Sequence, residues 1–249
     1  MTNPHIIARA TAPIARRSLL KSLGLGGLML SPAGALLLQN RAALASSDPK
    51  LQGLMDQARI TVQNFAGDSN YTDMRRQLAN AKGVLVLPQL IKASFIFGGE
   101  GGSGLLLAKT AGSWSQPANY TLAAGSVGFQ IGGEVSEVML LLMSNRAVEA
   151  ILRNEFKLGA DASVAAGPVG GGIEASTTTN MGADILSYSR SKGLAIGVSL
   201  EGAVITARHA RNEAYYGRSA HPRDILYQNA VSSAGTAELR QALAAAELR

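Results

Sequence analysis

Apolar residues first recur along this chain with the period of a helix. Leu51, Leu54, Met55, Ala58, Val62 and Phe65 fall at i, i+3, i+4, i+7, i+11 and i+14, one face at 3.6 residues per turn. Asp48-Pro49 marks the start, a capping carboxylate followed by proline at the first helical position, and Gly67 marks the stop. Tyr71, Met74, Leu78 and Ala81 predict a shorter second helix, with Arg75, Arg76 and Lys82 pointing elsewhere. At Gly83 the period changes. Val84-Leu85-Val86-Leu87, Ser94-Phe95-Ile96-Phe97 and Leu105-Leu106-Leu107 are short runs bounded by Pro or Gly, lengths that predict strands. Residues 120–131, 135–143, 164–174, 184–189 and 194–207 extend that pattern. Between them Ser144-Asn145-Arg146 opens a helix carrying Ala147, Val148, Ile151 and Leu152, and the Ala/Leu/Glu/Arg stretch 238–248 predicts a last helix.

These elements predict an α+β fold: a glycine-rich, mainly antiparallel β core with N-terminal helices and a C-terminal helix. The chain divides into residues 1–45, an export leader; 46–82, a helical segment; 83–217, the β-rich domain; and 218–249, a helical tail. No internal repeat of solenoid period is present. The β-rich part holds 21 of the 28 glycines. Glycine at that density serves either bends and bulges of a curved sheet or backbone laid bare for a ligand, and the structural use is the favoured one.

The leader has five basic residues (Arg9, Arg16, Arg17, Lys21, Arg41) and no acid, ahead of and around a moderately apolar run at 22–38. Arg16-Arg17 followed by Ser18-Leu19-Leu20-Lys21 resembles the twin-arginine export pattern, and Ala43-Leu44-Ala45 offers a small-x-small cleavage site. An uncleaved anchor is the alternative, since that run of 17 residues sits at the short end of the spanning range. Its glycines and the Ala-Leu-Ala site favour cleavage near Ser46. Removing the leader changes the charge picture. The whole chain carries 23 Lys+Arg against 17 Asp+Glu, the part after the leader 18 against 17. The basic balance thus belongs to the leader and gives no support to a nucleic-acid partner. The absence of cysteine excludes disulfides, thiolate metal sites and thiol nucleophiles.

Gly99, Gly101 and Gly104 spell GxGxxG, but the residues after them are too few before Gly112 for the crossover helix of a dinucleotide site. Ala124-Gly125-Ser126-Val127-Gly128 approximates a nucleophile elbow, yet a strand continues through it, and His209 stands in an alternating, edge-like segment. Asp161, Glu174 and Asp184 offer hard oxygen ligands for calcium; their simpler reading is turn and cap chemistry. Ser187-Tyr188-Ser189-Arg190-Ser191-Lys192 places hydroxyls and two cations together, the inventory for holding phosphate, or else a polar hairpin. Lys82 and Lys92 flank the first strand, and Arg208 and Arg211 follow the last. Gathered on one surface, each cation would add about 1 kcal/mol of attraction to an anionic membrane.

From about residue 81 to residue 217 the chain resembles the SYLF domain family. The matching elements include Ala81-Lys82-Gly83-Val84-Leu85-Val86-Leu87-Pro88, Gly112-Ser113-Trp114-Ser115-Gln116-Pro117-Ala118, Gly128-Phe129-Gln130-Ile131-Gly132, the stretches around Asp161 and Pro168, Tyr188 to Gly193, Leu200-Glu201-Gly202-Ala203, and Asn212 with Tyr215-Tyr216-Gly217. The resemblance implies lipid binding without enzyme activity, phosphoinositides being partners of some eukaryotic members and actin of others. With an export leader it implies a periplasmic, peripherally membrane-associated protein whose ligands are anionic membrane lipids. Lys82, Lys92, Tyr188, Arg190, Lys192 and Arg208 are the candidate contacts, the basic loop meeting phosphate. The Leu51 to Phe65 face is expected either to enter the interface or to pack in the core. No cofactor is required, calcium at Asp161, Glu174 and Asp184 being the exception to test. The rival is a structural or protein-interaction module of the cell envelope, and the third reading an enzyme with Asp161, Glu174 and His209 in a cleft.

Overall fold

The Asp48 carboxylate accepts from the Lys50 amide at 2.9 Å and, with Pro49 in the first turn, starts helix α1, Pro49–Gly67. The computed structural model describes residues 48–94, 97–127, 132–153, 155–169, 182–191, 194–196 and 200–248. The leader, Glu174 and Lys192 lie outside the described residues. A 3₁₀ turn, Ser69–Tyr71, joins α1 to α2, Thr72–Asn80. Leu51, Met55, Ala58, Val62 and Phe65 are all buried, so the α1 stripe is core and the interfacial alternative for it is wrong.

Ten strands follow among the described residues: β1 Gly83–Ser94, β2 Phe97–Thr110, β3 Ser113–Trp114, β4 Ala118–Val127, β5 Gly132–Leu142, β6 Glu155–Lys157, β7 Val164–Ala166, β8 Ile185–Ser191, β9 Leu194–Ile196 and β10 Val204–Ala207. They form a sheet in the order β6-β10-β4-β2-β1-β5-β8-β7, with β3 on β2 and β9 on β8. Pairing is antiparallel except between β7 and β8, as expected of a mainly antiparallel core. Helix α3, Asn145–Ile151, connects β5 to β6, and α4 His209–Tyr216, α5 Pro222–Tyr227 and α6 Ala237–Ala246 follow β10.

The central strands are buried on both faces. Val84, Val86, Leu105, Leu107, Met139 and Leu141 pack with the stripes of α1, α2 and α6. Leu85, Leu87, Leu106, Val138, Leu140 and Leu142 pack on the other side with Ala147 and Ile151 of α3, Phe156, and Ile225 and Leu226 of α5. Unbroken apolar runs, unlike the alternation of a one-sided antiparallel sheet, are what a doubly covered sheet requires.

Three expectations change. Tyr188 to Ser191 is not part of a loop: Tyr188 and Arg190 lie on β8, because Leu186, Tyr188 and Arg190 alternate with Ser187, Ser189 and Ser191 across the two faces of the sheet. His209 is not on an edge strand but opens α4, whose Asn212 and Tyr215 turn inward. The 194–207 segment is two strands, β9 and β10, with Gly202 at φ +85° in the turn before β10.

The register shifts in β1 between Val86 and Ile91 against β2, and between Leu87 and Leu90 against β5, mark a bulge at Pro88-Gln89. There the Gln89 carbonyl oxygen lies where a Cβ on Gly102 would be, whereas a Cβ on Gly125 meets nothing within 4 Å. Gly102→Ala should therefore destabilise the fold by about 1–3 kcal/mol, through overpacking against rigid backbone. Gly125→Ala should stay within about 0.5 kcal/mol of the parent. Urea unfolding of the two variants checks this, and equal midpoints would remove the steric account.

Candidate functional site

Among the described residues, the face of the sheet that carries α1, α2, α4 and α6 is covered by helices at one end only. Beyond α1 and α4 the register aligns Val135, Ile91, Gly101, Ala123, Val204 and Lys157 on six neighbouring strands, β5, β1, β2, β4, β10 and β6. At the spacing of adjacent strands this row is roughly 24 Å wide. Ile91 is 53 % and Val135 50 % exposed, and Ala123 is exposed beside them. The next row outward is Gly133, Ala93, Gly99 and Gly125, all exposed. The row inward is polar: Ser103, Thr121, Thr206 and Glu155. The result is a surface made largely of small residues with two large aliphatics at one side.

Two arginines mark where the cover stops. On the α1 side, Glu137 accepts at Oε1 from Thr61 Oγ1 at 3.1 Å and Asn64 Nδ2 at 2.8 Å, and at Oε2 from Arg190 Nη1 at 3.1 Å. Arg190 Nε stands 3.7 Å from Asp68 Oδ2, so this guanidinium is held between two carboxylates and is 25 % exposed. Tyr71 donates to the Ser189 carbonyl at 2.5 Å, its phenol pushed up to about 12 by burial and then by Asp68. Tyr188 donates to Asp73 Oδ2 at 2.8 Å, and burial, with Asp73, pushes its phenol far above the ordinary range. On the α4 side, Asn212 accepts from the Asn119 amide at 2.7 Å and fixes the helix over β4, and Arg211 reaches across to donate from Nη1 to Ser103 Oγ at 2.7 Å. Among the described residues no carboxylate lies within 4.0 Å of Arg211.

The structure separates most of the residues expected to gather. Lys82 precedes β1 at one end and Lys92 lies near the other, roughly 30 Å away along a strand rising 3.3 Å per residue. Lys92 stands opposite Glu100 and Glu134 on the other face, where burial raises the Glu100 carboxyl against the lowering charge of Lys92, with a smaller push from Glu134. Tyr188 is buried and Arg190 is ion-paired, so the proposed phosphate loop is instead a seam fastening α1 and α2 to β8. Arg208 is exposed at the start of α4, its amide on the Asn119 carbonyl at the covered end, and one turn later Arg211 reaches the border of the uncovered face. Ile91 and Val135 escaped sequence reasoning because both read as ordinary strand residues, and only the pairing register puts them side by side.

Elsewhere Lys109 Nζ and Trp114 Nε1 both contact Glu247 Oε1, at 2.8 and 2.9 Å, at the rim of a cleft of about 570 Å³ that Arg76 and Asn80 also line. His209 and His221 stack edge to face, 5.4 Å between centroids, both exposed. Asp161 accepts from the Lys157 amide at 2.7 Å, a turn role. Asp184 accepts from Ser144 Oγ at 2.5 Å and from the Ser163 amide and hydroxyl at 3.1 and 3.0 Å. Among the described residues no group of three or more His, Asp or Glu is arranged to hold a metal ion. The Ser144 bond first, against burial and with the Ser163 bonds, holds Asp184 below the usual carboxylate range. A depressed native pKa gives stability that is complete above the unfolded value, about 3.9, and is lost as pH falls through the native one. Asp184→Asn should cost about 2 kcal/mol at neutral pH, and the gap to the parent should close in acid. Urea unfolding at both pH values measures it; a gap constant with pH would show that the charge is immaterial.

Residues 123–246 match the family model Ysc84, described as "Las17-binding protein actin regulator". The human SH3 domain-containing YSC84-like protein 1 is 36 % identical over 168 residues, 67 % of this chain and 49 % of that protein. Protein YSC84 of Saccharomyces cerevisiae is 36 % identical over 155 residues, 60 % of this chain and 32 % of its own length. An SH3 domain-containing protein of Schizosaccharomyces pombe reaches 42 % over 143 residues, 56 % of this chain and 33 % of its own. The matched region thus spans half or less of the length of these relatives. The family model takes in Val135, Arg190 and Arg211, with Ile91, Ser103 and Thr121 preceding its range, and on these matches the chain belongs to the Ysc84, or SYLF-domain, family.

Proposed function

We propose that this chain is a non-enzymatic membrane-binding module whose uncovered sheet face lies on an anionic lipid surface, with Ile91 and Val135 entering the interface. The observation that carries the reading is that pair. Each is half exposed, and they stand opposite one another on β1 and β5, while Val84 to Leu87 and Val138 to Leu142 on the same strands are buried. Adjacent large aliphatics left in water on a surface of small residues mark a contact surface. Arg211 and Lys157 border this one and add attraction to anionic headgroups. With the export leader expected at residues 1–45, the site of action is the periplasm and the ligand a bacterial anionic phospholipid. Binding without catalysis accords with the local hydrogen bonds that engage Asp161 and Asp184 and with the exposed positions of both His209 and His221. The reading includes no cofactor.

The family description, Las17-binding, favours a second reading in which the same face meets a protein of the cell envelope. Vesicles separate the two. Replacing Ile91 and Val135 together by Asp removes apolar burial of about 3 kcal/mol and adds charge of the wrong sign. Co-sedimentation with phosphatidylglycerol-containing vesicles should weaken about 100-fold, and Ile91→Thr with Val135→Thr, which puts no like charges opposite one another, should weaken it in the same direction with the thermal midpoint little changed. Failure of the parent protein to bind any vesicle would leave the protein-partner reading in possession of this face.

A further inference from the structure

We infer that Arg211, with the hydroxyls of Ser103 and Thr121, forms a site for a phosphate oxyanion, filled by a lipid headgroup when the protein is on a membrane. The inference rests on the membrane reading above and says where on the face the phosphate goes.

Arg211 reaches from α4 across β4 to β2, is partly buried, and donates from Nη1 to Ser103 Oγ at 2.7 Å. That hydroxyl accepts from the arginine and keeps its own proton for another acceptor. Thr121 is directly opposite Ser103 on β4, and Thr206 opposite Thr121 on β10, so three hydroxyl side chains follow one another across the sheet. Directly opposed residues hold their Cβ atoms about 5 Å apart, a spacing at which two hydroxyls reach different oxygens of one phosphate. Among the described residues Thr121 and Thr206 have no side-chain hydrogen-bond partner.

The charges around the row favour an anion at the Arg211 end. Arg190, at the other border of the same face, is ion-paired with both Glu137 and Asp68, whereas Arg211 has no carboxylate within 4.0 Å among the described residues. Arg208 is exposed one turn before it. Glu213 is two positions away on α4 and so turns elsewhere. Glu155 closes the row on β6, roughly 14 Å from Ser103 at three strand spacings, and disfavours an anion at the Thr206 end. A planar guanidinium with open N–H groups beside hydroxyl donors suits a phosphate oxyanion.

The next row outward gives a lipid phosphate room to arrive. Gly101 and Ala123 floor the approach, and Ile91, paired with Gly101, begins the apolar part of the face. A headgroup on Arg211 therefore leaves the rest of the lipid beside Ile91 and Val135. A free phosphate would use the same donors without the aliphatic pair.

The test uses the full chain with Arg211→Gln, Arg211→Lys and Thr121→Val, and with Arg218→Gln as an exposed control away from the face. Binding is read by co-sedimentation with phosphatidylcholine vesicles with and without phosphatidylglycerol, and amide NMR follows titration with glycerol phosphate. Arg211→Gln should weaken binding to phosphatidylglycerol vesicles about tenfold, the loss of a charge-assisted contact. Thr121→Val should lose several-fold, Arg211→Lys should recover part of the loss, and Arg218→Gln should match the parent. Unchanged binding by Arg211→Gln, with binding abolished by the Ile91 and Val135 substitutions, overturns the phosphate site and leaves the membrane reading standing. A thermal midpoint lowered in Arg211→Gln in proportion to its loss of vesicle binding makes Arg211 a structural residue and also overturns it. Glycerol phosphate shifts at Ser103 and Thr121 in a protein that ignores vesicles assign the site to a soluble phosphate and overturn the lipid source.

Discussion

The structure depends on strands that need burial on both faces. Val84 to Leu87, Leu105 to Leu107 and Val138 to Leu142 have no polar side, so a layer of cover on each face is a condition of stability. One layer is built from α3, α5 and the residues around Phe156, the other from α1, α2, α4 and α6. β1 and β2 outrun the second layer, being 12 and 14 residues long. The excess length changes character: apolar runs give way to Gly99, Gly101, Ala93 and Ala123, and the face continues without cover.

The border between covered and bare sheet is where polar side chains are concentrated. Water has partial access there, so a guanidinium keeps some hydration while gaining fixed partners, which makes a border cheaper for charge than a core. Arg190 and Glu137 resolve the border on the α1 side as an ion-paired network that also engages Thr61 and Asn64. Arg211 resolves it on the α4 side with a single hydroxyl. The same residue type thus does structural duty at one edge and stands ready for a ligand at the other, the difference being its carboxylate neighbours.

Much of the fold was legible because its signals are local. The α1 stripe, the cap at Asp48-Pro49, the change of period at Gly83 and the final helix all follow from spacing within a few residues. The site was less legible. Tyr188 and Arg190 carry a period-two signal with Leu186, but serines between them suggest a solvent-facing turn, and only α1 and α2 packing over β8 shows why such a polar strand is buried. The α4 helix was hidden by the Arg-His-Ala-Arg alternation, although Asn212, Tyr215 and Tyr216 recur with helical spacing. Ile91 and Val135 are 44 positions apart and become neighbours through strand pairing, which no local pattern encodes. The glycines answer to both readings: Gly102 admits the β1 bulge, while Gly99, Gly101, Gly125 and Gly133 leave the bare face without side chains at their positions.

The contact between α1 and α6 bears on how the chain folds. Arg59 on the first described helix pairs with Glu238 on the last at 3.1 Å, and Gln52 donates to the Gly235 carbonyl at 3.1 Å, 183 positions along. Leu239 and Leu243 enter the same cluster as Met55, Val62 and Phe65. One hydrophobic layer therefore contains the earliest and the latest described segments, and it stays unfinished while the chain is being synthesised until residue 246 is available. Until then the α1 stripe and one face of β1, β2 and β5 stay partly unsheltered, a nascent state that a holding chaperone would recognise by exposed aliphatic surface.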